Sequence, residues 1–165
     1  MLFDKKKVMQ FIPHRDPFLF VDGIQEIIYP KFTKTSGFEL KDLVGGTVTG
    51  KFHLNTDHPI LAGHFPGNPI FPGVCQLEMM AQVSIFITTK CITKDLDKLM
   101  LEVALVGSDK SRFRKPVLPG MDLTIKTELL RARGIFLSFK AQILNGTELM
   151  SDSEFMATCH INYKE

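Results

Sequence analysis

Cysteine is scarce in this chain. Cys75, Cys91 and Cys159 lie far apart among 165 residues, and no two form a CxxC pair. That spacing excludes a zinc ribbon and a thioredoxin-type redox site. An odd, scattered set builds no disulfide framework either, so a reducing compartment is the simpler reading and a cytoplasmic protein the expectation. A charge excess is also missing: 20 Lys and Arg stand against 18 Asp and Glu, for a net +2. Dedicated nucleic-acid binders carry a strong basic excess, so that class is set aside, although a local patch for a small acidic partner is not. No long hydrophobic run occurs. The most apolar stretches contain Glu78 and Gln82 or stop after a few residues, too short to span a bilayer. Met1–Lys7 has lysines but no apolar stretch behind them, so no signal peptide is expected. There is no GxSxG motif, no phosphate-cradling glycine loop, no internal repeat and no linker. What remains, at 44% hydrophobic and 23% charged residues, has the composition of one soluble domain over residues 1–165.

Period-two alternation is clearest in the last third. Met121–Leu129 places Met, Leu, Ile, Thr and Leu at odd positions, and Ile135–Ile143 places Ile, Leu, Phe, Ala and Ile there. Arg133-Gly134 and Asn145-Gly146 supply turns, and Glu148–Ile161 resumes with Phe155, Ala157, Cys159 and Ile161 on one side. These read as an antiparallel meander. Leu99–Val106, Phe18–Ile28 and Gly46–Leu54 read as further strands, and Asp4–Phe11 as a short helix stopped by Pro13. Lys31–Gly45 is polar with weak periodicity. In Gly63–Gly73 six of eleven residues are Gly or Pro, with Phe65, Ile70 and Phe71 among them. That is a stiff loop packed on a core, not a flexible linker. Val74–Ile92 then runs without alternation or breaker and apolar nearly all round, which predicts a buried helix beginning at Pro72. The fold class expected is α+β: one long helix against an antiparallel sheet.

Glu78 lies in the second turn of that helix, where a carboxylate is rare unless paired. Burial would raise its pKa toward the range useful for a general acid. Gln82, four residues on and on the same face, could orient it. The competing reading is that Glu78 reaches an edge or pairs with a buried Arg. His64, in the stiff loop, has the side chain suited to a base at neutral pH, against the plain reading of a surface-loop histidine. The N–H groups at Gly73 face the helix N-terminus, where a developing negative charge is favoured. His53, His58 and His64 match no zinc spacing. Cys75 sits in the first helical turn, yet without a partner base it reads as a small core residue. Arg112, Arg114 and Lys115, with Lys110 near, form a basic cluster that is either a solvated strand edge or a landing site for an acidic partner.

The stretch Gly63-His-Phe-Pro-Gly-Asn-Pro-Ile-Phe-Pro-Gly-Val-Cys-Gln-Leu-Glu-Met-Met-Ala-Gln82 closely resembles the signature of the β-hydroxyacyl-acyl carrier protein dehydratases of bacterial fatty-acid synthesis. Ile12–Asp22 is similar to that family's N-terminal block, with Asp16 where an aromatic residue is usual, and Ala104–Gly120 to its third block. The resemblance implies a hotdog fold, a long helix wrapped by a curved antiparallel sheet. It implies catalytic His64 and Glu78, with glutamate marking the general dehydratase branch rather than the isomerising one. Gly73 would bind the thioester carbonyl and Gln82 would orient Glu78. Phe65, Ile70, Phe71 and Met79 would line an acyl tunnel. Arg112, Arg114 and Lys115 would dock acyl carrier protein. The resemblance implies no metal or redox cofactor, the substrate arriving on the carrier's phosphopantetheine. It implies a homodimer sharing its sites, His from one protomer and Glu from the other, assembled as a trimer of dimers. A hotdog thioesterase and a non-catalytic acyl-binding subunit are the alternatives. The segment Lys31–Gly50 is longer than the family leads one to expect, extending a strand or covering a dimer edge.

Overall fold

The Asp4 carboxylate accepts a hydrogen bond from the Lys7 N–H at 2.9 Å and starts helix α1, Lys5–Phe11. The computed structural model describes residues 1–164. Six strands follow: β1 Gly23–Ile28, β2 Thr47–His53, β3 Leu99–Phe113, β4 Asp122–Arg133, β5 Phe136–Asn145 and β6 Glu148–Tyr163. They form one antiparallel sheet in the order β1-β2-β4-β5-β6-β3. Helix α2, Gly73–Ser84, lies against it, touching β4, β5 and β2 most closely. This is the expected α+β hotdog arrangement.

The alternation read in the sequence is the burial pattern of the inner face. Leu123, Ile125 and Leu129 of β4, Leu137, Phe139 and Ile143 of β5, and Phe155 and Cys159 of β6 are buried with Met79, Met80 and Val83 of the helix. On β2, a Cβ at Gly50 would fall 2.7 Å from Val83 Cγ2, so only glycine lets the helix come this close. Both hairpin turns sit one residue later than expected. Arg133 pairs with Phe136 and Asn145 with Glu148, which makes Gly134 and Gly146 the first loop residues, at φ 57° and 61°. A primed turn needs positive φ there, and glycine adopts it without strain.

Three elements differ from expectation. The buried helix does not run to Ile92 as α-helix: α2 ends at Ser84 and tightens into a 3₁₀ helix, Ile85–Cys91. There Ser84 Oγ donates to the Met80 carbonyl, Thr88 Oγ1 to Ile85 and Thr89 Oγ1 to Phe86, all at 2.7–2.8 Å. Hydroxyls bonded to the preceding turn, amid β-branched neighbours, weaken the α-helical ladder. Phe18–Asp22 lies outside the sheet, which begins at Gly23. Strand β3 runs past Val106 to Phe113 and forms one edge of the sheet. The long segment after β1 adds no strand. It carries a 3₁₀ turn, Leu40–Leu43, that buries Leu43. Tyr29, Phe32 and Phe38 cluster there under the Lys90 ammonium, which lies 5.0–5.9 Å from the three ring centres.

Candidate active site

The loop carrying His64 is fixed by its own backbone. Phe65 and Asn68 exchange hydrogen bonds at 3.1 and 2.9 Å, Ile70 N–H donates to the His64 carbonyl at 2.8 Å, and Phe71 N–H donates to the Val117 carbonyl at 2.8 Å. The His64–Phe65 peptide is cis. His64 Nδ1 lies 2.8 Å from the Ile70 carbonyl oxygen. A carbonyl only accepts, so Nδ1 carries the hydrogen and the neutral ring presents its lone pair at Nε2. The ring stacks on Phe65 with centroids 4.0 Å apart.

Glu78 is half-buried, and one of its oxygens is doubly held. Oε1 accepts from His14 Nε2 at 3.0 Å and from Gln82 Nε2 at 3.0 Å. The orientation of Gln82 is unambiguous, because its Oε1 accepts the Phe20 N–H at 2.9 Å while its Nε2 also donates to the Phe18 carbonyl at 2.9 Å. Gln82 therefore does for Phe18–Phe20 what a neighbouring strand would do, which is why that stretch can leave the sheet while Leu19, Phe20 and Val21 are buried. Replacing Gln82 by Leu should strand the buried Phe20 N–H and destabilise the protein by about 1–3 kcal/mol, read as a lower urea midpoint at unchanged slope.

The expected rise in the Glu78 pKa is not found. The hydrogen bond from His14 holds the carboxyl below the usual glutamate value, outweighing burial, and the one from Gln82 lowers it further. The sequence places His14 in the N-terminal block without marking a role for it. The signal available was a histidine set between Pro13 and Arg15 in a stretch whose neighbours Ile12, Leu19 and Phe20 are buried. Arg15 Nη1 donates to the carbonyls of Ile12 and His14 at 3.1 and 2.7 Å and clamps that turn.

Pro72 is the N-cap of α2, so the helix starts one residue later than Pro72 itself. Its first bonded donors, Cys75 and Gln76, both reach the Pro72 carbonyl at 3.1 Å, and the first-turn N–H groups of Gly73 and Val74 have no backbone partner among the described residues. A Cβ at Gly73 would lie 2.9 Å from Phe113 Cζ, so glycine is the residue that fits under that ring. Within one chain, His64 and Glu78 share no hydrogen-bond partner among the described residues. Of the apolar set, Phe65 is 50% exposed and Ile70 partly buried, while Phe71 and Met79 lie in the core. Phe71 packs against Phe20, Phe52 and His58.

The other candidates are accounted for by local contacts. His53 Nδ1 lies 2.8 Å from Asp122, and His58 caps the turn Pro59–Ala62, where burial pushes its pKa down. Among the described residues no three His, Cys, Asp or Glu side chains gather as metal ligands. Burial, with Glu78 nearby, pushes the Cys75 thiol up, away from a reactive thiolate. In the basic cluster Arg114 pairs with Asp152 at 2.6 Å, Lys110 with Glu154 at 3.1 Å and Lys115 with Glu148. Arg112 has no ion pair among the described residues. A groove of about 620 Å³ crosses the outer face of the sheet between Glu26 and Lys110, lined by paired charges such as Glu128 and Lys140, and includes neither His64 nor Glu78. No described helix is long and apolar enough to cross a membrane.

Comparison with known proteins supplies the family. Residues 41–153 match the model of the ApeI-like family, described as ApeI dehydratase. The 3-hydroxyacyl-[acyl-carrier-protein] dehydratase FabZ of Syntrophobacter fumaroxidans is 33% identical over 155 residues, 94% of this chain and 92% of that protein. Its counterpart in Thiobacillus denitrificans is 35% identical over 156 residues, covering 94% and 96%. Among solved structures, the dehydratase heterocomplex ApeI:P from Xenorhabdus doucetiae aligns with a TM-score of 0.64 at 18% identity, over 92% of this chain and 89% of that one. The fluoroacetyl-CoA thioesterase FlK aligns with a TM-score of 0.58 at 14% identity, over 76% and 90%. At such identities the two structures speak for the fold alone. The relatives above 30% identity match nearly end to end, across the Pro/Gly loop with His64 and the helix with Glu78, and on that ground the chain belongs to the 3-hydroxyacyl-[acyl-carrier-protein] dehydratase family.

Proposed function

We propose that this protein removes water from a (3R)-3-hydroxyacyl group on acyl carrier protein, giving the trans-2-enoyl thioester in fatty-acid biosynthesis. The relatives carry that activity in their names. The observation that bears most weight is the 2.8 Å contact of His64 Nδ1 with the Ile70 carbonyl, from which the tautomer follows. With Nδ1 tied to the Ile70 carbonyl, Nε2 is the free base. His64 Nε2 takes the α-proton, the C–H electrons form the C2=C3 bond, and the C3–O bond breaks. Glu78 gives its proton from Oε2 to the departing hydroxyl, which leaves as water. An acyl chain covering the half-buried carboxyl excludes solvent and favours the protonated acid, opposing the pull of His14. The first-turn N–H groups at Gly73 hold the thioester oxygen as negative charge develops. The elimination breaks C2–H and C3–O and forms C2=C3 with no net change of oxidation state, so the reaction asks for no redox cofactor, and acid–base groups suffice for it. Phe65 and Ile70 suit the mouth of the acyl site, and Phe71 and Met79 its floor.

The site is completed by a second copy. Strand β3 is a 15-residue edge with Leu105 and Val106 exposed, and Val74, beside the helix N-terminus, is 72% exposed. An unpaired edge and an apolar surface near the chemistry are what a partner protomer covers. Three such dimers assembling together is the arrangement the resemblance implies and the one proposed here. Carrier protein, being acidic, meets Arg112 first, since Arg114 and Lys115 are already neutralised by acids of β6. Three free thiols suit a reducing, cytoplasmic setting.

The purified protein, given 3-hydroxyacyl-carrier substrate, should accumulate enoyl thioester, followed by its ultraviolet absorbance and by mass. Release of free acid with unmodified carrier would instead mark a thioesterase, and no turnover a binding subunit.

A further inference from the structure

We infer that His14 is a positioning residue of this dehydration: it fixes which oxygen of Glu78 faces the substrate. The inference rests on the reaction proposed above. Glu78 Oε1 takes two hydrogen bonds, from His14 Nε2 and Gln82 Nε2, both at 3.0 Å. A carboxyl oxygen so occupied is a poor place for a proton, so the proton Glu78 carries sits on Oε2. The two donors differ in origin. Gln82 is on the same helix, four residues on, and turns with it. His14 comes from the segment between α1 and β1, and ties the carboxylate to a separate piece of the fold. With Gln82 alone, the carboxyl keeps one tether and can rotate about it; with both, the plane of the group is set. Arg15 in turn holds the carbonyls on either side of the turn presenting His14. His14 Nδ1 is buried and has no partner among the described residues, so the ring's one polar contact there is with Glu78.

The titratable groups facing Glu78 are His14, from the packed N-terminal segment, and Cys75, one turn earlier on its own helix. On the shared-site reading His64 of a second copy joins them. Removing a donor from a carboxylate makes it hold its proton more tightly. The limb of the kcat profile governed by Glu78 therefore moves to higher pH when His14 is lost.

The test uses the full chain and 3-hydroxyacyl-carrier substrate. His14→Ala should lower kcat by about 10–100-fold with KM little changed, as expected for a mispositioned acid. Its Glu78 limb should shift upward. His14→Gln places an amide N–H near the position of Nε2 and should recover most of the rate and the original limb. His14→Asn, too short to reach Oε1, should stay slow. Should the Ala variant fail to fold, the Gln and Asn pair decides: Gln fast and Asn slow supports the role, and equal rates overturn it. A wild-type rate in His14→Ala overturns it, as does a loss that leaves the limb in place. A wild-type protein that forms no enoyl product sinks the dehydratase reading instead, and is seen before any variant is compared.

Discussion

Glu78→Gln should fold and lose dehydration by about 10²–10⁴-fold, the usual contribution of a positioned acid. Glutamine keeps the shape of the side chain. Its carbonyl oxygen can still accept from His14 Nε2 and Gln82 Nε2, so the link from helix to Phe18–Phe20 survives. What is missing is the proton at Oε2, because an amide N–H₂ has none to give at neutral pH. The loss should fall on kcat, with KM near wild type, since the ground-state contacts persist. Far-ultraviolet circular dichroism and the oligomeric state should match wild type. Stability carries a second signature. The carboxyl is held below the ordinary glutamate value, so its contribution is fully present above that value and fades as pH falls through the lower folded one. The stability gap between wild type and Glu78→Gln should accordingly narrow in acid, as measured by urea midpoints. Full dehydratase activity in the variant would remove Glu78 from the mechanism.

How much of this was visible in the sequence follows from which contacts are local. β4, β5 and β6 bury one face against α2, so their side chains alternate and the meander is legible. β3 is an edge with most residues exposed, so nothing in its pattern marks an end at Phe113. The 3₁₀ ending of the helix depends on three hydroxyls choosing backbone carbonyls. In a sequence the same residues read equally well as a continuing α-helix. Gln82 beside Glu78 is an i, i+4 pair and could be read directly. Its grip on Phe18 and Phe20 spans more than 60 residues and could not. The same holds for His14, 64 positions before Glu78. It reversed the direction of the Glu78 shift, because burial is inferable from a helix pattern and a distant donor is not.

That His64 and Glu78 share no hydrogen-bond partner within one chain, among the described residues, leads to the last expected result. His64→Ala and Glu78→Gln should each be nearly inactive alone, and should regain activity when the two chains are co-expressed or mixed under exchange. On the shared-site reading, each site of a two-fold dimer takes His64 from one copy and Glu78 from the other. A mixed dimer then holds one site with both defects and one with neither. Random pairing makes half the dimers mixed, so about a quarter of wild-type activity should return. Were both residues to serve the same site from one chain, every site would keep a defect and mixing would restore nothing. The two arrangements differ by the whole recovered signal, which makes the measurement robust to partial exchange. Recovery is the outcome expected on the shared-site reading. His64 is committed to Ile70 and Phe65, Glu78 to His14 and Gln82, and neither network reaches the other among the described residues. The exposed edge of β3 and the exposed Val74 and Phe65 offer the surface across which a second copy would bring the base to the acid.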